Sequence, residues 1–118
     1  NKPDQPDVVY SNRGNVKAIL KDYKGSIDDF TESIRLNPQY AGAYFNRGNT
    51  KYTVGDLQGA IEDYKQTIQL TPDYADAYYN MGIVKLDLKM DFESCQDFTT
   101  AVRLGYKQAE KMLQKYCR

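Results

Sequence analysis

Apolar and small residues recur three and four positions apart along most of the chain, a spacing that places them on one face of an α-helix. In the middle of the chain, one such series covers residues 43–52 and a second covers residues 57–70. Between them, Gly55 suits the left-handed end of one helix and Asp56 suits the N-cap of the next. Pro72 cannot donate the backbone hydrogen bond of a continuing helix, so the second helix should end there. The pattern predicts two consecutive amphipathic helices.

The same pattern occurs three times. Residues 7–40, 41–74 and 75–108 align without gaps at an offset of 34, and the first two segments are identical at 14 of 34 positions. The second and third segments are identical at 8 of 34 positions. The chain therefore contains an internal repeat, which predicts three helix pairs.

The three copies share aromatic and small residues at fixed positions. They are Tyr10, Tyr44 and Tyr78; Gly14, Gly48 and Gly82; Ser26, Ala60 and Ser94; Phe30, Tyr64 and Phe98; and Ser33, Thr67 and Ala101, with Pro38 and Pro72 closing two copies. This set at a period of 34 resembles the tetratricopeptide repeat (TPR) family. The resemblance implies an all-α solenoid, a right-handed superhelix of antiparallel helix pairs. The small residues would then lie where the paired helices approach most closely.

The ends of the chain depart from the repeat. We expect residues 1–6, which are polar and contain two prolines, to form a flexible tail. Residues 106–118 should form a seventh helix that covers the last repeat, after a helix end at Gly105. The turn at residues 89–92 has its Asp shifted by one position, so we expect an altered turn there, and Asp73 should cap the third repeat.

In the family, the first helix of each repeat lines the concave groove, so groove positions can be assigned by the resemblance. An Asn amide both donates and accepts hydrogen bonds, and Asn recurs here in register, which predicts a ladder that holds the backbone of an extended peptide. Phe45 and Tyr79 should leave the core, because Tyr44 and Tyr78 beside them already take the core-facing position. The predicted peptide-binding residues are Asn12, Asn15, Phe45, Asn46, Asn49, Tyr52, Tyr79, Asn80 and Ile83. The alternative is that the Asn side chains bond only to neighbouring helices and water.

One binding mode of the family is disfavoured by the sequence. Family members that bind the acidic C-terminal tail of heat-shock proteins use a clamp of two Lys, two Asn and an Arg. The matching positions here are Ser11, Asn15, Asn46, Asp76 and Asn80. Both asparagines are present, but all three cations are missing, so we do not expect this ligand.

Arg13 and Arg47 recur in Asn-Arg-Gly triplets, and an Asp follows sixteen residues after each. We interpret Arg13–Asp29 and Arg47–Asp63 as repeated structural ion pairs rather than as an anion-binding site. The third copy has Met81 in place of the Arg, so its Asp should lack that partner.

Charge and composition exclude several classes of function. The chain has 118 residues, 16 basic and 16 acidic side chains, a net charge of zero and no His. A neutral chain without a basic cluster is not expected to bind nucleic acid or an anionic membrane surface. It also lacks an apolar stretch of about 18 residues for membrane insertion. No catalytic constellation, metal site or cofactor-binding motif is recognised, so we expect no enzyme, no metal and no cofactor.

Two cysteines leave the compartment open. We favour Cys95 and Cys117 as small apolar residues of a helical core, while the alternative is a disulfide that ties the last helix down and implies an oxidising compartment. The chain begins at Asn1 without a signal-peptide core, which indicates a processed protein or part of a longer one. The location stays open: the sequence favours the cytoplasm, and an exported or periplasmic location is the alternative.

The predicted function is a non-catalytic module that binds a peptide or helix of a partner protein in its concave groove. The competing hypothesis is an assembly segment of a larger protein that self-associates through its convex face or its last helix. The sequence does not identify the partner.

Overall fold

The structure is a computed structural model that describes residues 5–117. In this part of the chain, seven α-helices and no strand are present. They are α1 (Pro6–Ile19), α2 (Tyr23–Leu36), α3 (Ala41–Thr53), α4 (Leu57–Leu70), α5 (Ala75–Asp87), α6 (Asp91–Arg103) and α7 (Gln108–Tyr116). Helices α1, α3 and α5 each pack on the helix that follows, α7 packs on α6, and the pairs stack into an elongated molecule of 49 × 29 × 19 Å. The predicted all-α solenoid is confirmed.

The helices begin and end largely where the turn residues indicate. Asp22 and Asp56 are the N-caps of α2 and α4, and their carboxylates accept hydrogen bonds from the backbone N–H groups of Gly25 and Gly59. The C-caps of α2 and α4 are Asn37 and Thr71, and each C-cap is followed directly by a proline. Gly105, after α6, has a positive φ of 102°.

Two predicted turn features are wrong. The turn before α6 keeps the backbone of the other two turns: Lys89 takes a positive φ of 64°, as Gly55 does with 90°, and Met90 occupies the N-cap position. The backbone N–H of Met90 bonds to the carbonyl of Lys85, a bond that any residue except proline could make, so the side chain does not alter the turn. Only the side-chain cap is lost. Likewise, the N-cap of α5 is Tyr74 rather than Asp73.

Helix α1 starts within the segment that was predicted to be a tail. Pro6 is its first residue, where the missing N–H of proline costs nothing, and Gln5 is its N-cap. Residues 1–4 of the predicted tail lie outside the described residues.

The core confirms the close approach of paired helices at the repeated glycines. Gly14, Gly48 and Gly82 are buried, and an added Cβ would lie 2.9, 2.9 and 2.7 Å from the nearest ring atom of Phe30, Tyr64 and Phe98, respectively. Each of these rings is buried and belongs to the second helix of its pair. A side chain larger than hydrogen would therefore force the two helices apart.

Helix α7 is placed as the leading helix of a fourth pair. Tyr106 precedes it as Tyr40 and Tyr74 precede α3 and α5. In all three cases the tyrosine carbonyl accepts a 3.1 Å hydrogen bond from the N–H of a buried alanine, which is Ala109 in α7. The fourth copy begins two residues earlier than the period of 34 requires.

A disulfide joins Cys95 of α6 to Cys117, which directly follows α7, with their Cα atoms 5.8 Å apart. The expectation of two unpaired core cysteines is therefore wrong. Because α7 packs against α6, the residue after its last turn comes within bridging distance of the first half of α6.

Candidate functional site

The leading helices α1, α3 and α5 form one side of the stack. Along the stack α1 contacts α3 and α3 contacts α5, whereas among residues 5–117 no comparable contact joins α2 to α4 or α4 to α6. Because the leading helices lie closer together than the second helices, the stack curves toward the leading helices. This side is the concave one.

A pocket of about 220 Å³ opens between α3 and α5. It is lined by Asn49, Tyr52, Thr53, Tyr64, Asn80 and Ile83. Four of these six, Asn49, Tyr52, Asn80 and Ile83, belong to the nine residues predicted from the sequence. The structure thus brings together a subset of the predicted site in one cavity.

The floor of the pocket is a polar network centred on Asn49. The side-chain oxygen of Asn49 accepts hydrogen bonds from the Tyr64 hydroxyl and from the amide nitrogen of Asn80, the latter at 2.9 Å. Burial raises the pKa of Tyr64, so its hydroxyl stays a neutral donor at physiological pH. Two rungs of the predicted ladder, Asn49 and Asn80, are therefore bonded to each other.

Tyr52 connects the pocket to an exposed carboxylate at the end of α5. Its hydroxyl donates a hydrogen bond of 2.5 Å to Oδ2 of Asp87. This bond, with some desolvation, raises the pKa of Tyr52 to about 12. The phenol is held in place and Asp87 is positioned at the end of α5 nearest Tyr52.

The remaining asparagines of the predicted site are Asn12, Asn15 and Asn46. Asn12 is exposed, while Asn15 and Asn46 are half-buried. Within residues 5–117, no side-chain hydrogen bond is made by any of the three.

Phe45 and Tyr79 were expected to leave the core, but both rings pack against it. The Phe45 ring lies 4.9 Å from the Tyr74 ring and 5.8 Å from the Tyr64 ring, measured between centroids. Tyr79 repeats this arrangement one pair further on, 4.7 Å from Tyr106 and 5.7 Å from Phe98. Both rings are half-buried and tie a leading helix to its own pair and to the start of the next one. Tyr74 before α5 and Tyr106 before α7 are the partners that the sequence analysis missed.

The predicted ion pairs are confirmed. Arg13 donates to both carboxylate oxygens of Asp29 at 2.8 and 2.9 Å, and Arg47 does the same to Asp63 at 2.8 Å. Sequence reasoning missed a lysine in register that also contacts each aspartate, although its spacing of 34 was visible. These lysines are Lys17, Lys51 and Lys85, at 3.1, 3.3 and 2.9 Å from Asp29, Asp63 and Asp97.

Loss of the arginine in the third copy changes the electrostatics of its aspartate. In the first copy, the hydrogen bond from Arg13 holds the pKa of Asp29 below its usual value. In the third copy, burial raises the pKa of Asp97, and the ammonium of Lys85 opposes this only in part. Met81 occupies the position of the missing guanidinium.

Within residues 5–117, no group of His, Cys, Asp or Glu side chains has the arrangement of a metal site. No helix in that same range combines the length and the apolar character needed to cross a membrane.

Comparison with known proteins identifies similar sequences and folds. A family model described as "TPR repeat" matches residues 14–55 and 51–88. The Arabidopsis OM64 TPR domain superimposes with a TM-score of 0.87 at 27% identity, covering 94% of this chain and 96% of that chain. The second TPR of Spaghetti (RPAP3), bound to the HSP90 peptide SRMEEVD, gives 0.82 at 26% identity over 85% of this chain and 93% of that one. The first TPR of Spaghetti, bound to the same peptide, shares the fold, with 0.83 at 19% identity over 94% and 95%. No curated protein sequence matches the chain.

Proposed function

Since the chain belongs to the tetratricopeptide repeat (TPR) family, whose repeats serve as protein-interaction modules, we propose that it is a non-catalytic module that binds a segment of a partner protein along α1, α3 and α5. The observation that carries this proposal is the arrangement on the concave side. A pocket with apolar walls at Tyr52 and Ile83 opens between α3 and α5, and the amides of Asn12 on α1 and Asn46 on α3 have no hydrogen-bond partner within residues 5–117. Ligand sites combine such an apolar recess with a few polar groups that fix orientation.

The amides supply affinity that does not depend on the sequence of the ligand. Each can accept from a peptide N–H and donate to a peptide C=O. Leading helices about 10 Å apart would present one amide for every three residues of an extended strand, which rises about 3.3 Å per residue. Since Asn80 already bonds to Asn49, we assign this backbone contact mainly to Asn12 and Asn46.

The ligand should differ from the acidic HSP90 peptide bound by the two Spaghetti domains. Ser11, Asp76 and Asn80 occupy the positions where the family resemblance would require cations. An acidic tail would therefore meet no compensating charge at these positions.

The alternative of self-association through α7 has less support. Met112 and Leu113 of α7 already pack against the cluster around Phe98 and Ala101. Tyr116 is the one large apolar residue of α7 that stays exposed, so this helix offers little open apolar surface to a second copy.

A random dodecapeptide phage library, selected against the immobilised full chain, tests the proposal. Binding of selected peptides is then measured by fluorescence polarisation. Replacing Asn12 and Asn46 together by Ala should weaken binding at least tenfold, because two backbone anchors are lost. The matched control replaces two exposed residues of α4 and α6, Gln69 and Gln96, by Ala and should bind as the wild type does. Equal affinity of the Asn12/Asn46 variant and the control would reject the groove as the binding site.

A further inference from the structure

All the cations on α1, α3 and α5 are engaged by buried aspartates. These pairs are Arg13 and Lys17 with Asp29, Arg47 and Lys51 with Asp63, and Lys85 with Asp97. The three aspartates belong to the second helices and are 4–8% exposed. Drawing one of these cations away to serve a ligand would leave a buried carboxylate with less compensating charge, or with none in the case of Asp97, which is costly. The positive charge of α1, α3 and α5 is therefore committed to the fold.

Two acidic residues of α5 have no such partner. Asp76 and Asp87 are exposed, and within residues 5–117 no Lys or Arg forms an ion pair with either. Asp76, Asn80, Ile83 and Asp87 follow one another at spacings of four, three and four residues, which places them on one face of α5. This face contributes Asn80 and Ile83 to the pocket. This face carries a negative charge at each end, at Asp76 and Asp87, with the uncharged residues Asn80 and Ile83 between them.

Each carboxylate is combined with aromatic groups. Asp87 accepts the hydrogen bond from Tyr52, a wall of the pocket. Asp76, in the first turn of α5, acts electrostatically on Tyr74 and Tyr106, whose pKa values are raised by burial and then by this charge. Aromatic faces beside a carboxylate favour a cationic side chain, because both the charge and the ring attract it.

We propose that the groove binds a protein segment with an aliphatic side chain for the pocket at Ile83 and Lys or Arg side chains for Asp87 and Asp76. This inference deepens the proposed function and rests on it. The two carboxylates are 11 residues apart on α5, or about 16 Å along its axis, and Ile83 lies between them. Lysine and arginine side chains on both sides of one aliphatic residue can reach both ends of this face. An acidic segment would be repelled by the same two carboxylates.

The peptides selected from the dodecapeptide library test this partner chemistry. We expect enrichment of Lys or Arg within three residues of Leu, Ile, Val or Met. Asp87→Asn and Asp76→Asn should each weaken binding of the selected peptides about tenfold, since each removes a charge-assisted bond at constant side-chain size. The control variants Glu62→Gln and Asp28→Asn make the same change of net charge on exposed positions of α4 and α2, and should bind as the wild type does. Raising the salt concentration should weaken binding to the wild type and not to the Asp76/Asp87 double variant.

The outcomes separate the two proposals. Basic peptides that are sensitive to Asp76→Asn and Asp87→Asn support the inference. Neutral or acidic peptides that depend on Asn12 and Asn46, but bind the Asp76/Asp87 double variant as well as the wild type, overturn it and leave groove binding in place. A library that yields no binder, or only binders insensitive to the Asn12/Asn46 variant, overturns both.

Discussion

At the scale of single residues, the repeat depends on glycines that have no side chain where the paired helices meet. The buried rings of Phe30, Tyr64 and Phe98 occupy the space in which a Cβ of the facing glycine would lie. The distance between the paired helices is therefore set by the contact of the glycine Cα hydrogen with the edge of the facing aromatic ring. Since protein interiors are closely packed, this distance cannot be relaxed locally.

Gly48→Leu should destabilise the fold by about 1–3 kcal/mol or more, because the new side chain overpacks the contact with Tyr64. The free energy of unfolding is measured by urea titration followed by circular dichroism. Gln69→Leu, which adds leucine to an exposed position of the neighbouring α4, serves as the control and should change it little. If both variants unfold at the wild-type urea midpoint, the helix contact is not where the structure places it.

The repeated aspartates differ in their response to pH. Because the hydrogen bond from Arg13 lowers the pKa of Asp29 below 3.8, its contribution to stability is present above that pH and is lost as the pH falls through the folded-state pKa. Asp29→Asn should therefore destabilise the protein at neutral pH, with the difference from wild type shrinking toward pH 2. Asp97 has the opposite shift, so Asp97→Asn should cost less at neutral pH. Urea midpoints recorded between pH 2 and pH 7 test this, and parallel profiles for the two variants would contradict it.

At the scale of the helices, the N-caps of α2 and α4 depend on a glycine three residues later. An added Cβ at Gly59 would lie 2.2 Å from Oδ2 of Asp56, and one at Gly25 would lie 2.4 Å from Oδ2 of Asp22. The cap and the glycine therefore form one unit. Glycine costs about 1 kcal/mol in a helix relative to alanine, and here it leaves room for the capping carboxylate.

A double-mutant cycle measures this coupling. Asp56→Ala alone should cost about 1 kcal/mol, because the bond from the Gly59 N–H is lost. Gly59→Ala alone should bring no stabilisation, since the methyl group displaces the cap. In the Asp56→Ala background, however, Gly59→Ala should stabilise the protein by about 1 kcal/mol. Additive changes in the urea-derived free energies would show that the two residues act independently.

The helices could be predicted from the sequence because their ends depend on local chemistry. Asp56, Pro72 and Gly105 act within one turn of their own position, so the residue type is enough. The prediction failed at Met90, where the backbone bond to Lys85 sets the turn whatever the side chain is. The prediction also failed at Asp73, since the carbonyl of Tyr74 accepts the first helical hydrogen bond of α5, from the N–H of Ala77, and Tyr74 is therefore the N-cap.

At the scale of the whole molecule, the sequence repeat predicted the stack of helix pairs, but it did not predict the pocket that forms between neighbouring pairs. The pocket floor needs the Tyr64 hydroxyl from α4, Asn49 from α3 and Asn80 from α5, and the other two copies carry Phe in place of Tyr64. These three groups meet only because the fold brings three different helices together. The packing of Phe45 and Tyr79 on the tyrosines that precede the next helix was missed for the same reason.

The disulfide between Cys95 and Cys117 provides a test of how independent the pairs are. It closes a segment of 22 residues at the C-terminal end, and the loop-entropy relation assigns such a crosslink up to about 3 kcal/mol. In a linear stack each pair contacts only its neighbours, so the loss of the crosslink should be felt near α7 first. The variant with both cysteines replaced by Ser should lose amide-exchange protection in α7 and α6, while α1 to α3 keep theirs. The oxidised wild type is the reference. Reducing its disulfide with dithiothreitol should produce the same loss of amide-exchange protection as the Ser variant. Uniform loss of protection along the whole chain would instead show that the repeats fold as one cooperative unit.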